Sequence, residues 1–285
     1  MHSPGCDGGW VEHIFAARQK TCGMQRRFLR QAGALLCLLE RLRGGDVHYE
    51  NLLMDKSGSA LAIDLECLLS PVSRGAEHRR RGQRWENVSP AESLGRVTLL
   101  PWSGSGVSGR DVSSLGDRVR TMEDLRILLD GYEQGYRQLL ACRRSWLSKN
   151  GRLDECRSLP ARVVLRSTLA YQQILDEMDE TPNPRKAEEN ARNHLEEAPP
   201  DQPNSPSLID AEIASLRAGD IPRFTTFADS RELRLGTRRW PHFWGCSGVD
   251  AVRQQLESMN EADLRRQLTT ISDCWKGRSW WKKTS

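Results

Sequence analysis

Residues 44–51 read GGDVHYEN, and residues 60–66, which follow a short polar turn, read ALAIDLE. The first stretch places Asp46 and Asn51 five positions apart, and the second brings Asp64 to the end of an apolar run. An apolar run, a turn that contains glycine and a second apolar run predict a β-hairpin. The sequence therefore predicts a hairpin with Asp46 and Asn51 at its entrance and Asp64 at its exit.

This spacing has a chemical use in protein kinases. Their HRDxxxxN motif supplies an Asp that accepts the proton of the substrate hydroxyl and an Asn that holds Mg²⁺, and a later Asp binds the metal too. Asp46 and Asn51 repeat the Asp-to-Asn spacing, and Asp64 matches the later Asp. The preceding His-Arg pair and the Asp-Phe-Gly motif are absent, so the chain is not an ordinary protein kinase. A hairpin cap with satisfied polar groups is the structural alternative.

Two segments, GDVHYENLL at residues 45–53 and IDLECLL at residues 63–69, resemble the dehydratase domain of class II lanthionine synthetases. That family carries the pattern DxHxEN followed by a strand end of the type IDLET. The resemblance implies phosphorylation of Ser or Thr in a ribosomal precursor peptide with a leader, using ATP and Mg²⁺. Phosphate elimination to dehydroalanine or dehydrobutyrine then follows.

The resemblance also implies roles for the residues of both segments. Asp46 would orient or deprotonate the substrate hydroxyl, and His48 would contact phosphate or support the loop. Asn51 and Asp64 would hold Mg²⁺ together with ATP, and both are oxygen ligands of the kind that Mg²⁺ takes.

A third segment, RVVLRST at residues 162–168, is similar to an Arg-x-x-x-Arg-x-Thr run of the family. The resemblance implies that Arg162 and Thr168 serve phosphate elimination. A departing phosphate needs cationic stabilisation, and arginine binds phosphate oxygens through its forked donors. A surface arginine at a strand edge is the structural alternative. The segment GDIPRF at residues 219–224 also matches the family and predicts structural roles for Pro222 and Phe224 near the rim of the site.

A literal GxGxxG pattern occurs at Gly104, Gly106 and Gly109. Pro101 breaks the strand that should precede a nucleotide-binding loop, and no Gly-Lys-Ser/Thr follows. We therefore reject the nucleotide-loop interpretation. The resemblance instead implies that residues 99–116 form an activation-loop-like strip near the substrate.

Composition sets the class of protein. The chain has 285 residues, 38% hydrophobic residues and a net charge of +4. Eight cysteines stand singly without a Cys-x-x-Cys pair, which is typical of reduced thiols in the cytoplasm. We find no apolar run long enough for a membrane span and expect no nucleic-acid partner.

Hydrophobic periodicity predicts mostly helices, and the fold class is therefore α+β, as in the C-terminal lobe of kinases. A glycine pair, Gly44-Gly45, is expected to end the first helix. The predicted helices cover residues 24–42, 121–146, 171–178, part of 185–197, and 208–216, with two short helices in 249–273 separated near Asn260 or Glu261.

The resemblance covers nearly the whole chain but only part of a family dehydratase. We assign residues 1–275 to a partial dehydratase domain and residues 276–285 to a tail. An upstream lobe with a phosphate-binding lysine and a zinc cyclase are both missing from the sequence. We therefore expect a weak or inactive isolated chain, and a separate lobe or cyclase chain as a second partner.

Two alternatives remain at this point. The first is a non-catalytic fragment or scaffold that binds a precursor peptide or a partner chain. The second is a small-molecule phosphotransferase, which does not account for the segments 162–168 and 219–224.

Overall fold

The computed structural model describes residues 21–73, 94, 96–101, 113–197 and 205–276. About 52% of the structure is helical and the strands form small antiparallel sheets, which confirms the predicted α+β, mostly helical class. The described helices are α1 (Cys22–Arg41), α2 (Met122–Leu147), α3 (Arg152–Glu155), α4 (Thr168–Glu180), α5 (Pro184–Glu196), α6 (Pro206–Arg217), α7 (Gly248–Glu257) and α8 (Glu261–Asp273). The described strands are β1 (Leu52–Met54), β2 (Ala60–Ala62), β3 (Val72–Ser73), β4 (Pro160–Val163), β5 (Phe224–Phe227), β6 (Leu233–Leu235), β7 (Arg238–Trp240) and β8 (Trp244–Cys246).

The main core lies between α1 and α2, with α7 and α8 packed against them. The two long helices approach closely where each carries a glycine. A methyl group at Gly33 would lie 2.1 Å from the Leu128 carbonyl oxygen, and one at Gly131 would lie 2.0 Å from the Arg30 carbonyl oxygen. The backbones of the two helices are therefore in contact at this crossing, which fixes the position of α1 against α2.

The end of α1 differs from the prediction. The left-handed residue is Arg43, with φ of 54°, and not a residue of the Gly44-Gly45 pair. The Gly44 N–H donates to the Leu39 carbonyl at 2.7 Å, and the Arg43 N–H donates to the Glu40 carbonyl at 3.2 Å, which is the Schellman pattern. The Arg43 side chain donates to the carbonyls of Ser70 and Pro71, so these contacts hold a non-glycine residue in this conformation.

The predicted hairpin is confirmed. Strands β1 and β2 pair antiparallel, with Leu53 opposite Leu61. The turn is closed by the Asp55 carboxylate, which accepts hydrogen bonds from the backbone of Ser57 and Ser59 at 2.8 Å each. This bonding lowers the pKa of the Asp55 carboxyl. The hairpin entrance and exit therefore lie at the end of the hairpin opposite this turn.

A four-stranded antiparallel sheet, ordered β4-β5-β6-β7, was not predicted. One of its faces packs on α6 through Phe224, Leu233 and Trp240 against Leu208. Two further helices, α4 and α5, pack with α6 in a separate small cluster. The sheet carries β4, and with it Arg162, toward the hairpin.

The remaining predicted helices are confirmed within a few residues. Side-chain caps explain where two of them begin. The Thr121 hydroxyl accepts from the Asp124 N–H at 3.0 Å at the start of α2, and the Asn260 side chain accepts from the Asp263 N–H at 2.9 Å at the start of α8. Among the described residues, no helix has the length and apolar character needed to cross a membrane. The three glycines of the rejected GxGxxG pattern and nearly all of the tail lie outside the described residues.

Candidate active site

Asp46 lies in the loop between the Schellman turn and the hairpin, in a left-handed conformation with φ of 61°. Non-glycine residues rarely adopt this conformation, and such strain concentrates at functional sites. The loop is held through Val47, whose N–H donates to the Val97 carbonyl at 3.2 Å and whose carbonyl accepts from the Ser114 hydroxyl at 2.9 Å. Val97 lies just before the predicted activation-loop-like strip, and Ser114 lies near its end. Both residues therefore hold the Asp46 loop in place through Val47.

Asn51 closes the same loop from its other end. The Asn51 side-chain amide donates to the Asp46 carbonyl at 2.8 Å, so the two residues of the Asp-to-Asn pattern are bonded to one another. The His48 ring lies next to this contact. Its Nε2 is 3.4 Å from the Asn51 amide nitrogen, and its Nδ1 accepts from the Glu50 N–H at 3.4 Å. His48 is thus placed to support the loop, which is one of the two roles expected from the sequence.

Asp64 enters the site through the pairing of the hairpin. The Ile63 N–H donates to the Asn51 carbonyl at 2.9 Å, which extends the β1–β2 register by one residue pair. Asp64 is the next residue, and it too is left-handed, with φ of 55°. The hairpin thus brings the two predicted magnesium residues, Asn51 and Asp64, to the same end.

Glu66 connects this end of the hairpin to the sheet. The Arg162 N–H donates to the Glu66 carbonyl at 2.8 Å, and the Arg162 guanidinium pairs with one oxygen of the Glu66 carboxylate. Arg223 pairs with the other oxygen of the same carboxylate. One carboxylate therefore holds two arginines, from β4 and from the start of β5, within two residues of Asp64.

Several of these groups shift the pKa of the Asp46 carboxyl. Burial raises this pKa above its usual value, electrostatic interactions with His48 and Arg162 lower it, and the negative charges of Asp64 and Glu66 raise it further. These four side chains come from the loop, the hairpin exit and β4, and all of them act on one carboxyl group. Three separate parts of the chain therefore meet at this position.

Two neighbouring groups respond to the same charges. Burial acts to raise the pKa of the Glu66 carboxyl, but the hydrogen bonds and charges of Arg162 and Arg223 outweigh it, and the net pKa is lowered. Burial and the charge of Asp46 raise the pKa of the Cys67 thiol to about 11. Glu66 is therefore an anion at neutral pH, and Cys67 is a thiol.

Thr168 lies apart from this group in the described contacts. It is exposed at the first turn of α4, where the hydroxyl of the preceding Ser167 caps the helix by accepting from the Ala170 N–H at 3.1 Å. The second arginine of the segment, Arg166, is buried against Glu212 at 2.8 Å. No described hydrogen bond joins the Thr168 side chain to Asp46 or Arg162. Five of the six predicted residues are thus brought together. The sixth, Thr168, follows Arg162 by six residues and lies apart from the other five in the described contacts.

The predicted magnesium ligands fit the metal by their chemistry. Mg²⁺ is held in proteins by one or two carboxylates together with phosphate oxygens and water. The amide nitrogen of Asn51 is the atom bonded to Asp46, and its oxygen is the atom that a metal would take. Within the described ranges, no group of three or more His, Cys, Asp or Glu side chains is placed to hold a metal. A site built on Asn51 and Asp64 therefore depends on oxygens from a nucleotide.

Sequence reasoning missed two residues of the site. It left the role of Glu66 open, although Glu66 lies only two residues after Asp64 at the end of the same apolar segment. It also passed over Arg223, which stands in the variable position of GDIPRF. A charged residue between Pro222 and a buried Phe224 was the available signal, because alternation along a strand turns it to the opposite face.

The comparisons with known proteins point to one family. No curated protein matches the chain. A family model described as a domain of unknown function, DUF4135, matches residues 6–127 and 116–227. These matches contain Asp46, Asn51, Asp64, Arg162 and Arg223 and cover well over half of the chain, which therefore belongs to the DUF4135 family.

Proposed function

We propose that this chain acts on Ser and Thr residues of a ribosomal lantibiotic precursor peptide, as a part of a lanthionine synthetase-type dehydratase. Phosphorylation from ATP comes first and phosphate elimination follows. The DUF4135 family is associated with lanthionine synthetase-like proteins, which supports this assignment. In this proposal the chain works in the cytoplasm on a peptide that carries a leader, with a kinase-like C-terminal lobe as its scaffold.

One observation carries the proposal. Backbone and side-chain hydrogen bonds join the loop with Asp46, the hairpin exit with Asp64 and the strand with Arg162. Hydroxyl activation, metal binding and phosphate binding are the three tasks of the two-step reaction. Each of the three segments offers the side chain that suits one of these tasks.

For the transfer step, Asp46 is the candidate base. Burial raises the pKa of its carboxyl, and a base is more effective when its pKa approaches the working pH. Its backbone conformation is fixed by the Asn51 amide at 2.8 Å and by the contacts of Val47. The backbone that carries the carboxylate is therefore held in position before a substrate hydroxyl arrives.

For metal binding, Asn51 and Asp64 would hold Mg²⁺, which would neutralise negative charge on the phosphates of ATP. The paired hairpin ends bring the backbones of these residues together. The nearby guanidinium of Arg162 offsets the negative charges that Asp46, Asp64 and Glu66 contribute to the same region.

For elimination, Arg162 is the candidate residue for binding the departing phosphate. Its forked guanidinium has five donors, and Glu66 occupies one side of it. Elimination would release the Cα proton of the phosphorylated residue to water and break its Cβ–O bond. The departing phosphate would bind the remaining donors, with Thr168 as a second contact from the start of α4. Glu66 keeps the guanidinium aimed at the site between turnovers.

Binding of ATP with Mg²⁺ tests the proposal against the scaffold alternative. We expect the purified chain to bind ATP in a magnesium-dependent manner in isothermal titration calorimetry, and Asp64→Ala to abolish that binding. The Asp64 carboxylate would supply the negative charge that attracts Mg²⁺ to the hairpin exit, so its loss removes that attraction. A matched control is Asp130→Asn, which changes an exposed carboxylate on α2.

The outcomes separate the two functions. Unchanged ATP binding by Asp64→Ala, or weakening of the same size in Asp130→Asn, would contradict the enzyme proposal. Binding of a precursor peptide that ignores both ATP and Asp64→Ala would favour a scaffold.

A further inference from the structure

A row of arginines crosses the four-stranded sheet. Arg162 on β4 pairs with Thr225 on β5, Thr225 pairs with Arg234 on β6, and Arg234 pairs with Arg239 on β7. Directly paired residues point to the same face of a sheet. These four residues therefore form one line across the sheet, which we call the arginine row.

The arginine row lies on the face opposite the apolar core. The residues that alternate with it, including Phe224, Leu233 and Trp240, pack in the cluster against α6. Arg239 has a side chain that is 59% exposed, whereas Leu233 is fully buried. The row thus faces outward, with its first member, Arg162, at the candidate active site.

A further arginine enlarges this basic face. Arg223 lies two residues before Thr225 along the chain, so strand alternation puts it on the same face, and its side chain is 69% exposed. The ion-pair partners described for these arginines are Glu66, shared by Arg162 and Arg223, and Glu232, shared by Arg234 and Arg239. Because Arg234 and Arg239 share one carboxylate, the part of the face away from the hairpin carries one more positive than negative charge among these groups.

We propose that the arginine row binds an acidic stretch of a peptide that leads into the Asp46 site. Neighbouring strands are about 4.8 Å apart, so the row spans about 14 Å, the length of about four extended residues. Carboxylates along such a segment would pair with Arg234 and Arg239 while a Ser or Thr further along the peptide reaches Asp46. This surface gives the proposed peptide substrate a defined chemistry and rests on the proposed function.

One feature favours a peptide over a nucleic acid. Single-stranded nucleic acids bind by stacking bases on exposed aromatic rings. The aromatic ring of Phe227, which lies on this face, is covered by the Arg234 guanidinium at 4.6 Å from the ring centre.

The test is fluorescence anisotropy with a short labelled oligoglutamate peptide and a matched oligoglutamine peptide, without nucleotide. We expect the glutamate peptide to bind, to bind more weakly at high salt, and to lose about two- to fivefold in affinity in Arg239→Gln, as for an exposed ion pair. The control is Arg238→Gln, which removes the same charge from the adjacent position. Arg238 pairs with Leu235 and lies off the arginine row.

Three results would overturn the proposal: equal binding of the two peptides, equal loss in Arg239→Gln and Arg238→Gln, or displacement of the peptide by oligothymidylate at equal concentration. Because nucleotide and magnesium are absent, this assay succeeds or fails independently of ATP binding. If the wild-type protein did not bind ATP, the proposed function would be rejected. The result with the glutamate peptide would still decide whether the arginine row binds an acidic peptide.

Discussion

Asp46→Asn is expected to lower the rate of peptide phosphorylation by about 10²- to 10⁴-fold, the usual contribution of a general base. Asparagine has the same shape and tolerates the left-handed conformation that Asp46 adopts at φ of 61°, so the loop should keep its structure. The change removes the acceptor for the hydroxyl proton and little else. Transfer from radiolabelled ATP to a Ser- or Thr-containing peptide measures the effect even when turnover is slow.

The pH dependence of the same reaction provides a second readout. Burial raises the pKa of the Asp46 carboxyl. As the pH is lowered, Asp46 should therefore become protonated, and the rate should fall, at a pH above the usual aspartate pKa of about 3.9. The control is again Asp130→Asn, for which we expect the wild-type rate and profile. Transfer by Asp46→Asn at the wild-type rate would remove Asp46 from the reaction.

Arg41→Ala is expected to lower the free energy of unfolding by about 3–5 kcal/mol, as when one partner of a buried ion pair is removed. The Arg41 side chain is 3% exposed and pairs with Glu40 and Asp263 at 2.7 Å each. The Tyr136 hydroxyl donates to the same Asp263 oxygen at 2.7 Å, and the guanidinium lies 5.0 Å from the centre of the Tyr136 ring. Alanine would leave the buried Glu40 carboxylate without its cation, and of its two described arginine contacts Asp263 would keep only the longer one, with Arg266 at 3.4 Å.

An exposed arginine offers a matched control for this experiment. Arg137 on α2 also pairs with α8, through Glu261 at 2.6 Å, but its side chain is 51% exposed. Urea unfolding followed by circular dichroism should show little change for Arg137→Ala, because water screens exposed ion pairs. Equal effects of Arg41→Ala and Arg137→Ala would show that the buried network does not anchor the end of α1. Asp46 follows Arg41 closely along the chain, so the position of its loop depends on that anchor.

The helices and the hairpin were predictable because each has a local cause. Apolar residues at helical spacing place α1, and the turn with Gly58 and the Asp55 carboxylate closes the hairpin. The end of α1 was predicted only in part, because a contact from Arg43 to residues 70 and 71 decides which residue is left-handed. A local pattern contains no information on such a long-range bond.

The sheet shows the same limit on a larger scale. Its strands have three or four residues each. Strand β6 reads Leu-Arg-Leu and strand β7 reads Arg-Arg-Trp, and both are too short to be distinguished from a loop. The pairing of Glu66 with Arg162 and Arg223 joins residues about a hundred positions or more apart along the chain. The sequence thus predicted the candidate residues within each segment separately. Only the structure shows that the Glu66 carboxylate joins two of these segments.

Product analysis of an Arg162→Lys variant tests most directly whether one site performs both transfer and elimination. Lysine keeps the positive charge beside Glu66 but lacks the fork that binds two phosphate oxygens. Because the isolated chain is expected to be weakly active, a threonine peptide is incubated with ATP, Mg²⁺ and a stoichiometric amount of the chain. Mass spectrometry should then show phosphopeptide accumulating and dehydrated peptide reduced, relative to wild-type protein. Dehydrated peptide formed at the wild-type rate, with no accumulation of phosphopeptide, would contradict the assignment of Arg162 to phosphate elimination.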